Sequence, residues 1–216
     1  MNSVRINRAR FSEAVWDNVF EEAKWREGER RRLHAALLRL NSLRSDAEYN
    51  TGSISADSGW VYFCVANFFK PSVIAEVGTF IGRTTTALAW GARDAEIHTC
   101  DSSNDIKIPT YFNINQYPKK TSTEMFKIMG DIGTTADMVV LDGRLSPEDG
   151  EPLSKIVTDS TVFVFDDFEG VEKGVVNASL LLQSLAPYYH LVYPPKNLNS
   201  AVALLLPRKL VEYTNQ

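Results

Sequence analysis

The chain has 216 residues, 44% of them hydrophobic and 23% charged, which is enough for one sizeable α/β core with an N-terminal extension. A formal net charge of −4 gives the whole molecule no electrostatic attraction for nucleic acid or an anionic membrane surface, and no apolar run reaches the roughly 20 residues that span a bilayer. Cys64 and Cys100, the only cysteines, lie in apolar runs and read as reduced core residues; with no signal peptide in view, a cytoplasmic protein is expected.

Residues 11–45 are helical in pattern. Val15, Trp16, Val19, Phe20 and Ala23 form one apolar stripe, and Leu33, Ala36, Leu37, Leu40 and Leu43 form another. Between them, the charged run from Glu27 to Arg32 fits a solvated helix face or a break at Gly28. Uncovered, the two stripes would leave apolar patches, so these helices are expected to cover the sheet edge or to pair with a second subunit in a homo-oligomer. Residues 1–50 are therefore set apart as a helical extension, and residues 51–216 as the main domain. The polar stretch from Ser45 to Ser58 ends at an N-cap, Ser55 or Asp57, before a helix over Gly59–Phe69 that Lys70-Pro71 stops.

The stretch from Val73 to Thr85 organises the rest. An apolar run, Val73 to Val77, turns on Gly78 and Gly82 and opens into a helix at about Arg83–Ala92: a buried strand, a tight loop and a helix start, as at nucleotide sites of parallel α/β sheets. A dinucleotide fingerprint starting at Gly78 would need glycine at positions 80 and 83, where Phe80 and Arg83 stand, so NAD is disfavoured. The second strand, Glu96 to Cys100, ends in Asp101. That acidic residue, 23 positions after Gly78, stands where a carboxylate accepts the two hydroxyls of a nucleoside ribose.

Residues 104–123 are the least regular part, and Pro109 and Pro118 forbid a long helix there. A substrate lid carrying Tyr111, Phe112 and Tyr117 is one reading of this long loop. A helix follows at about Thr123–Met129. Strands at Ala136–Leu141 and Thr161–Phe165 end in Asp142 and in Asp166-Asp167, and α/β sheets place ligands at such carboxyl edges. Three carboxylates converging from neighbouring strand ends raise one another's pKa or recruit a cation, for which Mg²⁺ is the natural partner. A helix over Val175–Leu185 and a final pair of strands, His190–Tyr193 and Ser200–Leu206, complete the pattern.

The spacing E-x-G-x-x-x-G at Glu76, Gly78 and Gly82 resembles the first motif of class I S-adenosylmethionine (SAM) dependent methyltransferases, and the resemblance runs from about residue 51 to 207. It implies a Rossmann-like, mostly parallel seven-stranded sheet with the last strand antiparallel, and SAM as cofactor. It places Glu76, Gly78, Thr79, Phe80 and Gly82 in the ligand loop and the methionine carboxylate at the helix start near Thr84. Thr51-Gly52-Ser53-Ile54 is similar to a segment of small-molecule O-methyltransferases that lies over the methionine end, and Gly130-Asp131-Ile132 resembles their Gly-Asp-Ser beside the adenine.

The strand-end carboxylates resemble the metal site of catechol-type O-methyltransferases, with Asp142, Asp166 and Asp167 as the implied ligands and Asp167 replacing an Asn. Leu145 stands in place of the Lys that is the general base there, and a His that related enzymes carry after the Asp-Gly is missing. The reading implied is methyl transfer to a small molecule, oxygen before nitrogen as acceptor. Asp142 and Asp167 are the candidate bases, ahead of His98, His190 and Tyr111. Arg144 and Lys173 are placed to hold an anionic acceptor. The missing bases leave an alternative, a non-catalytic SAM-binding module that acts through its N-terminal helices.

Overall fold

The computed structural model describes residues 4–6, 10–24, 26–46, 53–102, 108 and 113–213. It opens with a short strand β1 (Val4–Ile6) and two helices, α1 (Phe11–Ala23) and α2 (Glu27–Arg39), which runs into 3₁₀ turns over Leu40–Asp46. The break between the helices falls before Glu27, and Gly28 lies inside the first turn of α2. Helix α3 (Ala56–Phe69) starts at Ser55, whose hydroxyl accepts from the Ser58 amide, so Ser55 and not Asp57 is the cap.

An alternation then follows through β2 (Val73–Val77), α4 (Arg83–Gly91), β3 (Glu96–Asp101), β4 (Ile114–Pro118), α5 (Ser122–Asp131), β5 (Ala136–Leu141) and α6 (Gly150–Ile156). It continues with β6 (Val157–Phe165), α7 (Gly174–Leu185), β7 (Tyr189–Val192), β8 (Ala203–Pro207) and β9 (Val211–Tyr213). Strands β2 to β8 form one sheet in the order β4-β3-β2-β5-β6-β8-β7. All neighbours from β4 to β6 are parallel, while β8 runs antiparallel between β6 and β7, the expected class of sheet. A parallel pair of β1 with β9 lies outside it.

Alternate residues of the inner strands feed two cores. Ile74, Met138, Val140, Val162 and Val164 face the helices α1 to α4; Ala75, Val77, Val139, Leu141, Phe163 and Phe165 face α5, α6 and α7. Helix α3 is buried at every residue from Ser58 to Phe69, as befits a helix apolar on all sides. Its cover is α1 and α2, whose stripes (Val15, Trp16, Val19, Leu33, Leu37) are buried in the same core. The apolar faces that raised the expectation of a second subunit are thus packed within this chain. Both cysteines are buried free thiols, and no helix among the described residues is long and apolar enough to cross a membrane.

Candidate functional site

A cavity of about 930 Å³ opens at the carboxyl ends of β2, β3 and β5. Chain connections leave β2 and β5 in opposite directions across the sheet, so this is its switch point, where α/β sheets take ligands. The floor is a backbone seam. Gly78 has φ +99°, and a Cβ there would lie 2.8 Å from the Gly143 amide nitrogen and 2.9 Å from the Asp142 carbonyl carbon. A Cβ on Gly143 would in turn meet Val77 Cγ1 at 2.9 Å. Glycine at both positions lets the loops after β2 and β5 touch.

The loop after β2 is held from below. Thr79 and Thr99 share a hydrogen bond of 2.6 Å between hydroxyls, and Phe80, at φ +44°, donates its amide to Asp101 Oδ2 at 2.8 Å. Asp101 therefore lies at the end of β3 on the cavity wall, braced by the loop that it faces. Gly82, at φ +76°, turns the chain into α4, which starts with no side-chain cap. Thr84 and Arg83 line the cavity, so the uncapped N–H end of α4 opens into it, a site matched to a carboxylate. Arg83 anchors the helix start by donating to the carbonyls of Leu37 and Ile54 at 3.1 and 2.8 Å. A close glycine floor, a strand-end carboxylate and an open helix N-terminus fit an adenosyl amino acid.

Several expected residues stand elsewhere. Glu76 is fully buried on the α4 side of the sheet, where Thr85 donates to Oε2 at 2.6 Å; alternation along β2 turns it away from the cavity. Ile54 is buried beside Gly59, with Ser53 on the cavity wall in its place; Thr51 and Gly52 lie outside the described residues. Gly130 and Asp131 end α5, next to the amino edge of the sheet, and do not line the cavity. Direction explains this correction: the start of α5 faces the carboxyl edge, so Thr121, Ser122 and Thr123 line the cavity and its last turn cannot. Tyr117 belongs to β4 and bonds to His98 Nδ1 at 2.9 Å, which makes His98 a buried structural residue. His190 lies on the outermost strand β7, bonded to Tyr213. Tyr111 and Phe112 fall outside the described residues.

Asp142, Asp166 and Asp167 do converge, and an ammonium stands among them. Lys173 Nζ lies 3.1 Å from Asp142 Oδ1, 3.4 Å from Asp167 Oδ2 and 3.6 Å from Asp166 Oδ2. Thr84 donates to Asp142 Oδ2 at 2.9 Å and Tyr62 to Asp166 Oδ1 at 3.1 Å. Burial, and then the charge of Asp142, pushes the Asp166 carboxyl up to about 8. Burial works against the Lys173 ammonium, but Asp142, Asp166 and Asp167 outweigh it and hold its pKa above the usual lysine value. Among the described residues no group of His, Cys, Asp or Glu is arranged to hold a metal ion, so the expected Mg²⁺ set does not fit: a lysine takes its centre.

Leu145, where the catechol-type enzymes carry a lysine, is buried in the core, and its amide donates to Asn177 Oδ1 at 2.8 Å. Asn177 also donates to the Gly143 carbonyl at 2.9 Å, tying α7 to the loop after β5. Sequence reasoning passed over Asn177, Tyr62 and Asp149. For Asp149 a signal existed, because Ser146-Pro-Glu-Asp149 is a capping box with proline at its first helical position. Arg144 is exposed on the cavity wall.

No family model and no curated protein matches this sequence. Solved structures do. The O-methyltransferase TomG of Streptomyces achromogenes, involved in tomaymycin synthesis and solved with SAM, is 17% identical over 80% of this chain and 89% of its own, with a TM-score of 0.59. An O-methyltransferase of Bacillus cereus in complex with S-adenosylhomocysteine (SAH) is 13% identical over 80% and 90%, with a TM-score of 0.59. An SAH-bound methyltransferase of Podospora anserina is 14% identical over 80% and 87%, with a TM-score of 0.54. At such identities the likeness is one of architecture, and the architecture is that of the class I SAM-dependent O-methyltransferases.

Proposed function

We propose that this chain is a SAM-dependent methyltransferase that methylates a hydroxyl oxygen of a small-molecule acceptor. The observation that carries the reading is the coincidence, in one cavity, of the Gly78 floor, the Asp101 carboxylate and the uncapped start of α4. Asp101 would hold the ribose hydroxyls, and the α4 N-terminus with Thr84 the methionine carboxylate. Bound there, SAM would supply an electrophilic sulfonium methyl. The chain's own part is to place an acceptor oxygen in line with it, which can remove much of the barrier, and to take the hydroxyl proton. Asp167, more than half exposed, and Asp142 are the carboxylates at hand for that proton. Arg144 gives the outer wall a cation for an anionic acceptor.

Calorimetry tests the first half: SAM should bind and NAD should not, and Asp101→Ala should weaken SAM roughly tenfold or more by losing a charge-assisted contact. Absence of SAM binding by the unmodified chain overturns the proposal. The second half needs methyl-labelled SAM and a panel of phenols, catechols and hydroxy acids. Tight SAM binding with no label transferred to any of them would assign the chain instead as a non-catalytic SAM-binding module.

A further inference from the structure

We infer that the Lys173 ammonium is the resident cation of the carboxylate cluster and stands in for a divalent ion, so that the acceptor oxygen is held by a lysine and not by a metal. Its purpose rests on the methyl-transfer reading above; its geometry does not. Three carboxylates from two strand ends surround one nitrogen, at 3.1, 3.4 and 3.6 Å. Of these contacts only that to Asp142 is a hydrogen bond, so the ammonium keeps donor capacity toward the cavity that it lines.

The position of Lys173 is otherwise hard to explain. It is the residue that opens α7, at the positive end of a helix dipole, with 31% of its side chain exposed. A cation there is disfavoured unless anions compensate it, and Asp142, at 3.1 Å, and Asp167, at 3.4 Å, do. Backbone packing fixes the arrangement: a Cβ on Gly174 would lie 2.4 Å from the Asp167 carbonyl oxygen, so the start of α7 is laid directly on the turn after β6. The second oxygens of Asp142 and Asp166 are engaged as well, by Thr84 and Tyr62. A divalent ion at the same place would have to displace the lysine and complete a shell of about six oxygens at close range. An ammonium facing the acceptor can stabilise the oxyanion that forms as its proton leaves.

The test is a Mn²⁺ titration of the full chain, followed by electron paramagnetic resonance. The unmodified protein should take up no Mn²⁺ at millimolar concentration. Lys173→Met should bind it roughly tenfold more tightly or better, and adding Asp142→Asn should abolish that gain. Stoichiometric Mn²⁺ uptake by the unmodified chain, lost in Asp142→Asn, would overturn the inference, and so would a folded Lys173→Met that gains no affinity. Should Lys173→Met fail to fold, the titration of the unmodified chain decides alone. SAM calorimetry on the same samples separates the two ideas, because a chain that ignores SAM retires the methyl-transfer reading and leaves the Mn²⁺ result standing.

Discussion

Glu76 shows how a residue of the ligand motif can act through the fold. Burial pushes its carboxyl up to about 8 against a usual 4.5, and the Thr85 and Thr99 hydroxyls pull it down only in part. Between those two values the folded chain keeps a proton that the unfolded chain has released. Stability should therefore fall as pH rises from about 4.5 to about 8 and level off above. Glu76→Gln removes the titration and keeps an acceptor for Thr85. It should stabilise the protein by on the order of a few kcal/mol at alkaline pH and by little at mildly acid pH, as read by urea unfolding at the two extremes. Asp166 shifts in the same direction, so the variant flattens the profile without abolishing it. At this scale the sequence is a partial guide. Gly78, Asp101 and Thr84 stand where strand-loop-helix spacing put them, since that spacing is a property of local backbone. Lys173 could be seen near the strand ends, but its place inside the aspartate cluster depends on how α7 docks, and no local pattern records that.

Among the elements, α5 and the turn before α6 carry one wall of the cavity. Thr121 and Glu124 form a reciprocal cap, and Ser122 and Thr123 both donate to Asp149, at 2.8 and 2.7 Å. Asp149 is 1% exposed and also accepts the Ser146 amide at 2.7 Å. Asp149→Ala would take the acceptor from the Ser122, Thr123 and Ser146 hydroxyls and from the Ser146 amide, in or beside the cavity wall. It should cost on the order of 3 kcal/mol in thermal or chemical unfolding and weaken SAM binding in the same samples. Strands β2 and β5 were readable to the residue, because they are apolar runs closed by carboxylates or glycines, whereas β6 starts at Val157, four residues before the apolar run at Thr161. Strand β4 was not: its Asn-, Gln- and Tyr-bearing sequence at the sheet edge lacks an apolar run, and Pro118 ends it. A two-residue likeness at Gly130-Asp131 misplaced the wall because it ignored which way α5 runs.

Over the whole molecule, the N-terminal helices work as cover. Helix α3 is buried along its length, and α1 and α2 are the layer above it, fastened by Trp16 Nε1 donating to the Tyr193 carbonyl at 2.6 Å and by Arg83 reaching the Leu37 carbonyl. Removing residues 1–46 should therefore yield a protein that self-associates and binds a hydrophobic dye, measured by size-exclusion chromatography and fluorescence. Periodicity announced two amphipathic helices, but not their partner, since an apolar stripe looks the same whether it meets its own chain or another. The contact of Gly78 with the loop of Gly143 has a mechanical corollary. Crevice floor and aspartate ledge meet in one seam, so a wedge driven under either glycine would press on the same backbone that carries Asp142 to Thr84.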